Sequence, residues 1–313
     1  MERLTNAQAL PERLRGAVLA LGNFDGFHRG HQAVVERARI QARRRGVPLI
    51  VATFDPHPVR FFHPETPPFQ LTTLAQRERL FAGAGADAML VFDFDADLAA
   101  ATPEEFVADR VAARTGAVAL VTGQDFTFGH ARAGNVVTLA ELGGRYHIDT
   151  EAVGAVADGG GVVSSSRVRD AVAAGDCATA ARLLTRPFTI EGVVQHGDKM
   201  GREMGFPTAN LLLNGYIRPA YGIYAVRGRL PDGRVVDGAA NLGLRPSFDP
   251  PKELLEPYFF DFSGDLYGQT IAVELIRYLR PEMRFDGLDA LKRQIAEDCE
   301  EARALLAATP RVA

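Results

Sequence analysis

Short apolar runs that end on glycine or a polar turn recur through the first half of the chain. Ala17–Leu21, Leu49–Phe54, Ala88–Phe92 and Ala117–Thr122 are too short for helices and too continuously apolar for half-exposed strands, so they predict buried strands. Between them lie segments of helical composition. His31–Arg45 mixes polar and apolar residues and is closed by Gly46 and Pro48, a helix with a stop signal. Leu74–Ala84 predicts another helix. Thr102-Pro103-Glu104-Glu105 combines a capping hydroxyl, proline at the first helical position and glutamate at the third. That capping box predicts a helix reaching about Arg114. Strand, helix and strand in this order pair in parallel through right-handed crossovers, giving a doubly wound, Rossmann-like α/β sheet. Ligands bind beyond the carboxyl ends of such strands, where residues 22–31, 54–58 and 123–130 fall.

The pattern changes near Pro187. Two small helices, Arg167–Ala174 and Ala178–Leu184, precede a linker at Thr185-Arg186-Pro187. Beyond it the runs Phe188–Val194, Ala220–Arg229, Arg234–Asn241, Tyr258–Phe262 and Gln269–Leu279 read as strands without intervening helices. Asp232-Gly233 is a hairpin signal, and several short strands in succession predict a small closed barrel. A helix from about Leu288 to Ala308 follows, with Leu291, Ile295 and Leu305 on its apolar side. The reading is two domains, residues 1–185 and 186–313, which the length of 313 residues favours. No internal repeat interrupts it.

Composition narrows the functions. A formal net charge of −4 argues against sequence-independent binding to nucleic acid or to an anionic membrane. Two cysteines, Cys177 and Cys299, make neither a disulfide framework nor a metal cluster. No stretch approaches the ~20 apolar residues of a membrane span, and Ala17–Leu21 is too short for a signal segment. A cytoplasmic protein is expected. Self-association into a homo-oligomer is compatible with the sequence.

The chemistry concentrates in a few runs. In Gly22-Asn23-Phe24-Asp25-Gly26-Phe27-His28-Arg29-Gly30-His31 two histidines open a helix directly after the first strand. Glycines allow close backbone approach, the helix N-terminus offers free N–H groups to a polyphosphate, and imidazoles add donors for a leaving pyrophosphate. A lone His-x-x-His is more often a pair of surface histidines, but the flanking glycines and the strand-to-helix placement favour function. Ser164-Ser165-Ser166-Arg167-Val168-Arg169 adds hydroxyls and a guanidinium, although serine capping alone would explain it equally well. Thr53-Phe54-Asp55-Pro56-His57-Pro58 and Asp125-Phe126-Thr127-Phe128-Gly129 could wall a flat aromatic ligand or be ordinary loop packing.

Together these runs resemble the nucleotidylyltransferase superfamily with a His-x-Gly-His element, and within it the FMN adenylyltransferase module of bacterial bifunctional riboflavin kinase/FAD synthetases. The resemblance covers nearly all of residues 15–184. It implies ATP binding by Gly22, Asn23, Phe24, Gly26, His28, Gly30, His31, Ser164, Ser165, Ser166 and Arg167. It implies FMN binding by Phe54, Pro56, His57, Pro58 and Asp125, with His28, His31 and Arg167 acting in catalysis. FMN, whose phosphate has a second pKa near ~6, is already a dianionic nucleophile and needs no general base.

Gly197-Asp198-Lys199-Met200-Gly201-Arg202-Glu203-Met204-Gly205-Phe206-Pro207-Thr208-Ala209-Asn210 is glycine-rich, basic and supplied with hard oxygens, though it lacks Gly-Lys-Ser/Thr. Alone it reads as a long barrel loop. With Asn241–Phe248, Glu256–Gly268 and Arg280–Phe285 it resembles the riboflavin kinase module, from about Phe188 to the terminal helix. That likeness implies a six-stranded barrel, ATP binding by Gly197, Lys199, Gly201, Arg202, Gly205, Phe206, Pro207, Thr208 and Asn210, Mg²⁺ held through Thr208 and Asn210, and Glu256 as catalytic base. A base is what the chemistry asks for, because the ribityl hydroxyl must lose a proton as it attacks the γ-phosphoryl group. Tyr258 stands where the family often has histidine, and Ser247 where threonine is commoner. The expected substrates and products are ATP, riboflavin, FMN and FAD. A nucleotidylyltransferase with another acceptor, and a flavin-binding module without turnover, are the competing readings.

Overall fold

The computed structural model describes residues 1–6, 9–196, 201, 204–245 and 252–311. Contacts divide the chain into two compact units, Met1–Pro67 with Thr72–Ser164, and Pro68–Leu71 with Ser165–Ala313. The secondary-structure style changes near Pro187 as expected, but by contacts the division falls at Ser164. The reason is packing: the Gly175 turn between α7 (Ser165–Ala173) and α8 (Cys177–Leu184) lies against the ring of Tyr278, within the second unit.

The first unit is a six-stranded, all-parallel sheet in the order β1-β4-β3-β2-β5-β6. Its strands are β1 (Glu2–Thr5), β2 (Val18–Leu21), β3 (Leu49–Asp55), β4 (Ala88–Asp93), β5 (Ala119–Gly123) and β6 (Asp149–Val153). Successive residues of β2 serve opposite cores: Leu19 and Leu21 join one cluster, Val18 and Ala20 the other. Burial on both faces is why the central strands read as unbroken apolar runs. The edge strands β1 and β6 have no such run and escaped the sequence reading.

Helix α1 (Arg29–Arg45) begins at the His28 cap and stops at Gly46, which is left-handed at φ 66°. Helices α2 (Pro58–Phe62), α3 (Leu74–Gly83) and α4 (Ala96–Ala100) follow. The Thr102 capping box forms as expected and starts α5 (Pro103–Glu105), which runs on in π-type turns over Phe106–Ala113. Helix α6 (Val136–Arg145) was not anticipated, because Val136-Val137-Thr138 and Gly143-Gly144 are poor helix formers. Gly143 is required for packing: a Cβ there would meet the Ile148 carbonyl oxygen at 2.7 Å. A short hairpin, β7 (Ala157–Asp158) with β8 (Gly161–Val162), leads to the end of the unit.

The second unit holds a near-closed antiparallel barrel of order β10-β13-β12-β11-β14-β9. The strands are β9 (Phe188–Val193), β10 (Leu211–Leu212), β11 (Gly222–Arg229), β12 (Val235–Arg245), β13 (Lys252–Phe259) and β14 (Thr270–Arg280). The Gln195 N–H donates to the Asn210 carbonyl at 2.8 Å and draws the two edges together. Gly233, at φ 85°, turns the expected hairpin between β11 and β12. Two expectations are corrected. The strand placed at Tyr258–Phe262 lies earlier, at Lys252–Phe259, disguised by its acidic residues and Pro257, and it ends where Asp261 turns left-handed at φ 55°. Strand β12 continues past Asn241 to Arg245.

Helix α9 (Leu288–Ala308) packs on the barrel through Cys299, Ala302 and Leu306, with buried Asp298 beside them. Leu305, expected on the apolar side, is only half-buried, and Ile295 is packed at the cluster's margin. Asp298 takes a two-pronged bond from Arg280 at 2.7 and 2.6 Å. Arg227 of β11, only 3% exposed, donates to the carbonyls of Leu306 and Pro310, each at 2.9 Å, and to that of Thr309. The Leu306 carbonyl also accepts from the Thr309 N–H at 3.2 Å, whereas a helix end offers the carbonyls beyond it no donor from a following turn. Both cysteines are buried, and burial pushes each thiol up to about 11, so neither is a thiolate at neutral pH.

Removing the Arg227 guanidinium takes donors from those carbonyls and leaves the Asp237 carboxylate, which faces its Nε at 3.2 Å, with Arg311 at 3.6 Å. Arg227→Met is expected to cost about 2–4 kcal/mol in urea unfolding followed by a probe in the barrel. A variant as stable as the parent would show that the helix end is held by apolar packing alone.

Candidate active sites

In the first unit, the carboxyl ends of β2, β3 and β5 are tied together by hydrogen bonds. The Gly22 N–H donates to the Ala52 carbonyl at 3.2 Å, the Thr53 hydroxyl to the Asn23 carbonyl at 2.8 Å, and the Thr122 hydroxyl to the Leu21 carbonyl at 2.9 Å. The loop so anchored carries Phe24 and Phe27 in left-handed conformation, at φ 50° and 44°, with Gly26 at φ 86° between them. Both phenylalanine rings are buried and meet Phe81 edge-on, at 5.7 and 5.2 Å.

His28 caps α1: its Nδ1 accepts from the His31 N–H, a long bond of 3.4 Å. With Nδ1 as acceptor, the neutral ring carries its proton on Nε2 and offers it as a donor. The two imidazoles stack with centroids 3.6 Å apart. Gly30 is needed between them, since a Cβ there would lie 3.1 Å from the His28 ring and 3.5 Å from the Val163 carbonyl. That contact places Val163, and Ser164 after it, beside the opening of α1. Among the described residues Asn23 Oδ1 is buried without a hydrogen-bond partner, an acceptor that a ligand can satisfy.

The residues expected to face the flavin also sit at strand ends. Phe54 is the penultimate residue of β3, His57 caps α2 by accepting from the Val59 N–H at 3.2 Å, and Pro56 is exposed. Asp125 is exposed just past β5, folded over Gly123. The sequence reading missed most of the aromatic wall beside them. Phe61 and Phe62 of α2 both meet Phe94, at 5.4 and 5.7 Å, and Phe94 meets Phe54. Phe106 joins Phe54 to Phe128, which stacks on Phe126. Phe62 remains 57% exposed, an unusual state for a phenylalanine in such a cluster. The signal was the density of phenylalanine at these strand ends.

In the second unit Glu256 lies within β13, not in a loop. Its register partner on β12 is Asn241. On the other side Leu211 pairs with Leu255, and the Ala209 N–H donates to the Pro257 carbonyl at 3.0 Å, which sets Asn210 opposite Glu256. Glu256 is thus flanked by an asparagine on each neighbouring chain segment. Thr208 is one residue before the Ala209 contact, and its hydroxyl would be 3.4 Å from a Cβ on Gly201. Gly205 is left-handed at φ 91°, and the Phe206 N–H returns to the Gly201 carbonyl at 2.8 Å. Pro207 is exposed between them. Tyr258, the departure from the family pattern, packs edge-on against Phe206 at 5.5 Å. Gly197, Lys199 and Arg202, with Ser247, lie outside the described residues.

Asn241 and Glu282, given no individual role by the sequence analysis, meet beside the Glu256 register pair. Glu282 accepts from Asn241 Nδ2 at 3.4 Å and occupies the space left by the missing side chain of Gly243. Among the described residues Asn241 Oδ1 is buried without a hydrogen-bond partner. His196 stacks on Tyr267 with centroids 4.0 Å apart. Among the described residues no cluster of three or more His, Cys, Asp or Glu could hold a metal. Neutral Thr208 and Asn210 oxygens fit a Mg²⁺ whose remaining ligands come from phosphates and water.

A parallel sheet ending in a histidine-capped, glycine-lined helix N-terminus is the fold of a nucleotidylyl-transfer enzyme, and the barrel with its central glutamate is that of a small-molecule kinase. Comparison with known proteins agrees. The FAD synthetase family model matches residues 10–167 and the riboflavin kinase family model residues 184–306. The chain is 39% identical over 288 residues to the bifunctional riboflavin kinase/FMN adenylyltransferase of Escherichia coli (strain K12), covering 92% of each. It is 42% identical over 294 residues to that of Pseudomonas fluorescens, covering 94% of each. A crystal structure named as a macrolide-efflux protein of Streptococcus pneumoniae matches with a TM-score of 0.87 at 30% identity, over 97% of this chain and 99% of that one. The chain belongs to the bifunctional riboflavin kinase/FMN adenylyltransferase family.

The Asp55 carboxyl at the end of β3 is perturbed. Burial pushes the Asp55 carboxyl above its usual range, Arg77 pulls it back, and Asp93, its register partner, adds to the rise. A raised native pKa means that the folded chain binds this proton more tightly than the unfolded chain does. Ionised Asp55 therefore destabilises the fold at neutral pH, and the penalty fades as pH falls through the native value. Asp55→Asn is expected to melt higher than the parent at pH 7 and to lose that advantage in acid. Equal melting temperatures at pH 7 would contradict the assignment.

Proposed function

We propose that this chain phosphorylates riboflavin to FMN in its second unit and adenylylates FMN to FAD in its first. The observation that carries the reading is that the FAD synthetase and riboflavin kinase family models match separate stretches of the chain, residues 10–167 and 184–306. Residues 1–185 are assigned to the adenylyltransferase and 186–313 to the kinase.

In the adenylyltransferase the FMN phosphate attacks the α-phosphorus of ATP. A phosphate oxygen–phosphorus bond forms, the bond to the β-phosphate oxygen breaks, and pyrophosphate leaves. The N–H groups at the start of α1, the glycines Gly22, Gly26 and Gly30, and the backbone of Asn23 and Phe24 receive the nucleotide. The His28 and His31 imidazoles donate where charge collects on the leaving group. Ser164, Ser165, Ser166 and Arg167 keep their assignment to the same phosphates from the motif alone. Phe54, Pro56, His57, Pro58 and Asp125 face FMN, backed by the phenylalanines around Phe94.

In the kinase Glu256 takes the proton of the ribityl hydroxyl as its oxygen attacks the γ-phosphorus, and ADP leaves. Gly201, Gly205, Phe206 and Pro207, together with Gly197, Lys199 and Arg202, surround ATP. Thr208 and Asn210 would hold Mg²⁺, which neutralises charge on the transferring phosphates. Among the described residues no helix is long and apolar enough to cross a membrane. We assign the work to the cytoplasm.

The direct test is product analysis of riboflavin, ATP and Mg²⁺ incubated with the protein. FMN should appear first and FAD follow, and unchanged flavin would end the proposal. Glu256→Gln is expected to abolish FMN formation and leave FMN adenylylation intact, and equal loss of both activities would refute separate sites. Replacing His28 and His31 together by alanine should stop FAD formation and spare FMN formation. Normal FAD output would remove the imidazoles from the mechanism.

A further inference from the structure

Among the described residues of the first unit, one arginine is buried. Arg77 on α3 is only 3% exposed. Its Nη1 donates to the Asn23 carbonyl at 3.2 Å and to the Thr53 hydroxyl at 3.0 Å, and that hydroxyl donates to the same carbonyl. Its charge faces Asp25 in the loop and Asp55 at the end of β3. One turn further along α3, Phe81 receives the rings of Phe24 and Phe27. At the head of the helix, Thr72 accepts from the Gly26 N–H at 2.9 Å and donates its own N–H to Asp25 at 3.0 Å. One element therefore grips residues 23–27 by charge, by backbone hydrogen bonds and by apolar contact.

Such a grip is more than burial of a loop requires. Two phenylalanines held at positive φ persist only where the surroundings over-determine the backbone. The apolar contacts fix the two rings, but the peptide of Asn23, which leads from β2 into the nucleotide loop, is held by Arg77 and Thr53. We propose that Arg77 is a positioning residue for adenylyl transfer: it sets the Asn23 peptide, and through it the direction in which the loop and the first turn of α1 present their donors to ATP. The inference rests on the adenylyltransferase reading above. Arg77 touches no substrate; it acts on the loop that does.

Purified parent chain, Arg77→Met, Arg77→Lys and Val111→Ala would be compared for FAD formation from FMN, for FMN formation from riboflavin, and for melting temperature. Val111 is a core residue on the other face of the sheet and serves as a control for lost stability. Arg77→Met is expected to lower kcat/KM for ATP in adenylylation by about tenfold or more, because a misdirected loop misplaces the α-phosphorus. KM for FMN and the kinase rate should stay within about twofold of the parent. Lysine restores a cation and donors at the same place, so Arg77→Lys should recover most of the loss. Parent values in Arg77→Met, or a loss matched by Val111→Ala at equal melting temperature, would overturn the proposal, as would an Arg77→Lys chain no better than Arg77→Met. If Arg77→Met does not accumulate as folded protein, Thr53→Val removes the bridging hydroxyl with little change of shape. It should lower the same parameter, and an unchanged value would again overturn the proposal. A parent chain that makes no FAD would fail the adenylyltransferase reading itself, an outcome distinct from all of these.

Discussion

A parallel strand that ends inside a protein leaves peptide groups with no further ladder partner, and each must be satisfied as the chain turns away. At the carboxyl end of the first sheet that duty falls to a few side chains. The Thr53 and Thr122 hydroxyls take the carbonyls of Asn23 and Leu21, one from each flanking strand. With those groups satisfied, the loop after β2 can leave the sheet, adopt left-handed turns at Phe24 and Phe27, and deliver His28 to the cap of α1. The free end of α1, the stacked imidazoles and the close approach at Gly30 all follow from where that loop is released.

The barrel meets a related demand differently. Antiparallel strands can satisfy one another, but a six-stranded sheet closes only if its outer edges meet. The edge formed by β10 is two residues long, and among the described residues the segment before it is joined to the one after β9 through the bridge between Gln195 and Asn210. Closure brings Asn210 opposite Glu256, so the residue that completes the barrel also faces the acid in the middle of β13. Fold and chemistry share the same few peptide groups here.

Much of this was legible in the sequence. The central strands announced themselves because both faces are buried, and the His-x-Gly-His segment because glycine and histidine at a strand-to-helix junction have few other uses. The edge strands β1 and β6 were hidden because half their side chains meet water. Strand β13 was misplaced because Pro257 and its acidic residues look like a loop, although Pro257 still offers its carbonyl to Ala209. Glu282 could not be read from local pattern: its meaning lies in a missing Cβ at Gly243, far away in sequence. The phenylalanine wall was likewise assembled from three strand ends that periodicity cannot bring together.

The capture of the last helical carbonyls by Arg227 has a consequence for how the chain comes into being. The acceptors of that guanidinium lie at Leu306, Thr309 and Pro310, some 80 residues after it. The first unit, apart from the short segment Pro68–Leu71, is complete by Ser164 and can fold while later residues are still being added at the ribosome. The barrel has no such head start. Until residue 310 has emerged, Arg227 has no helix end to hold, and of its partners only Asp237 is at hand in the wall it stands in. The adenylyl-transferring half should therefore be native first, and the half that supplies its FMN should be the last part of the protein to mature.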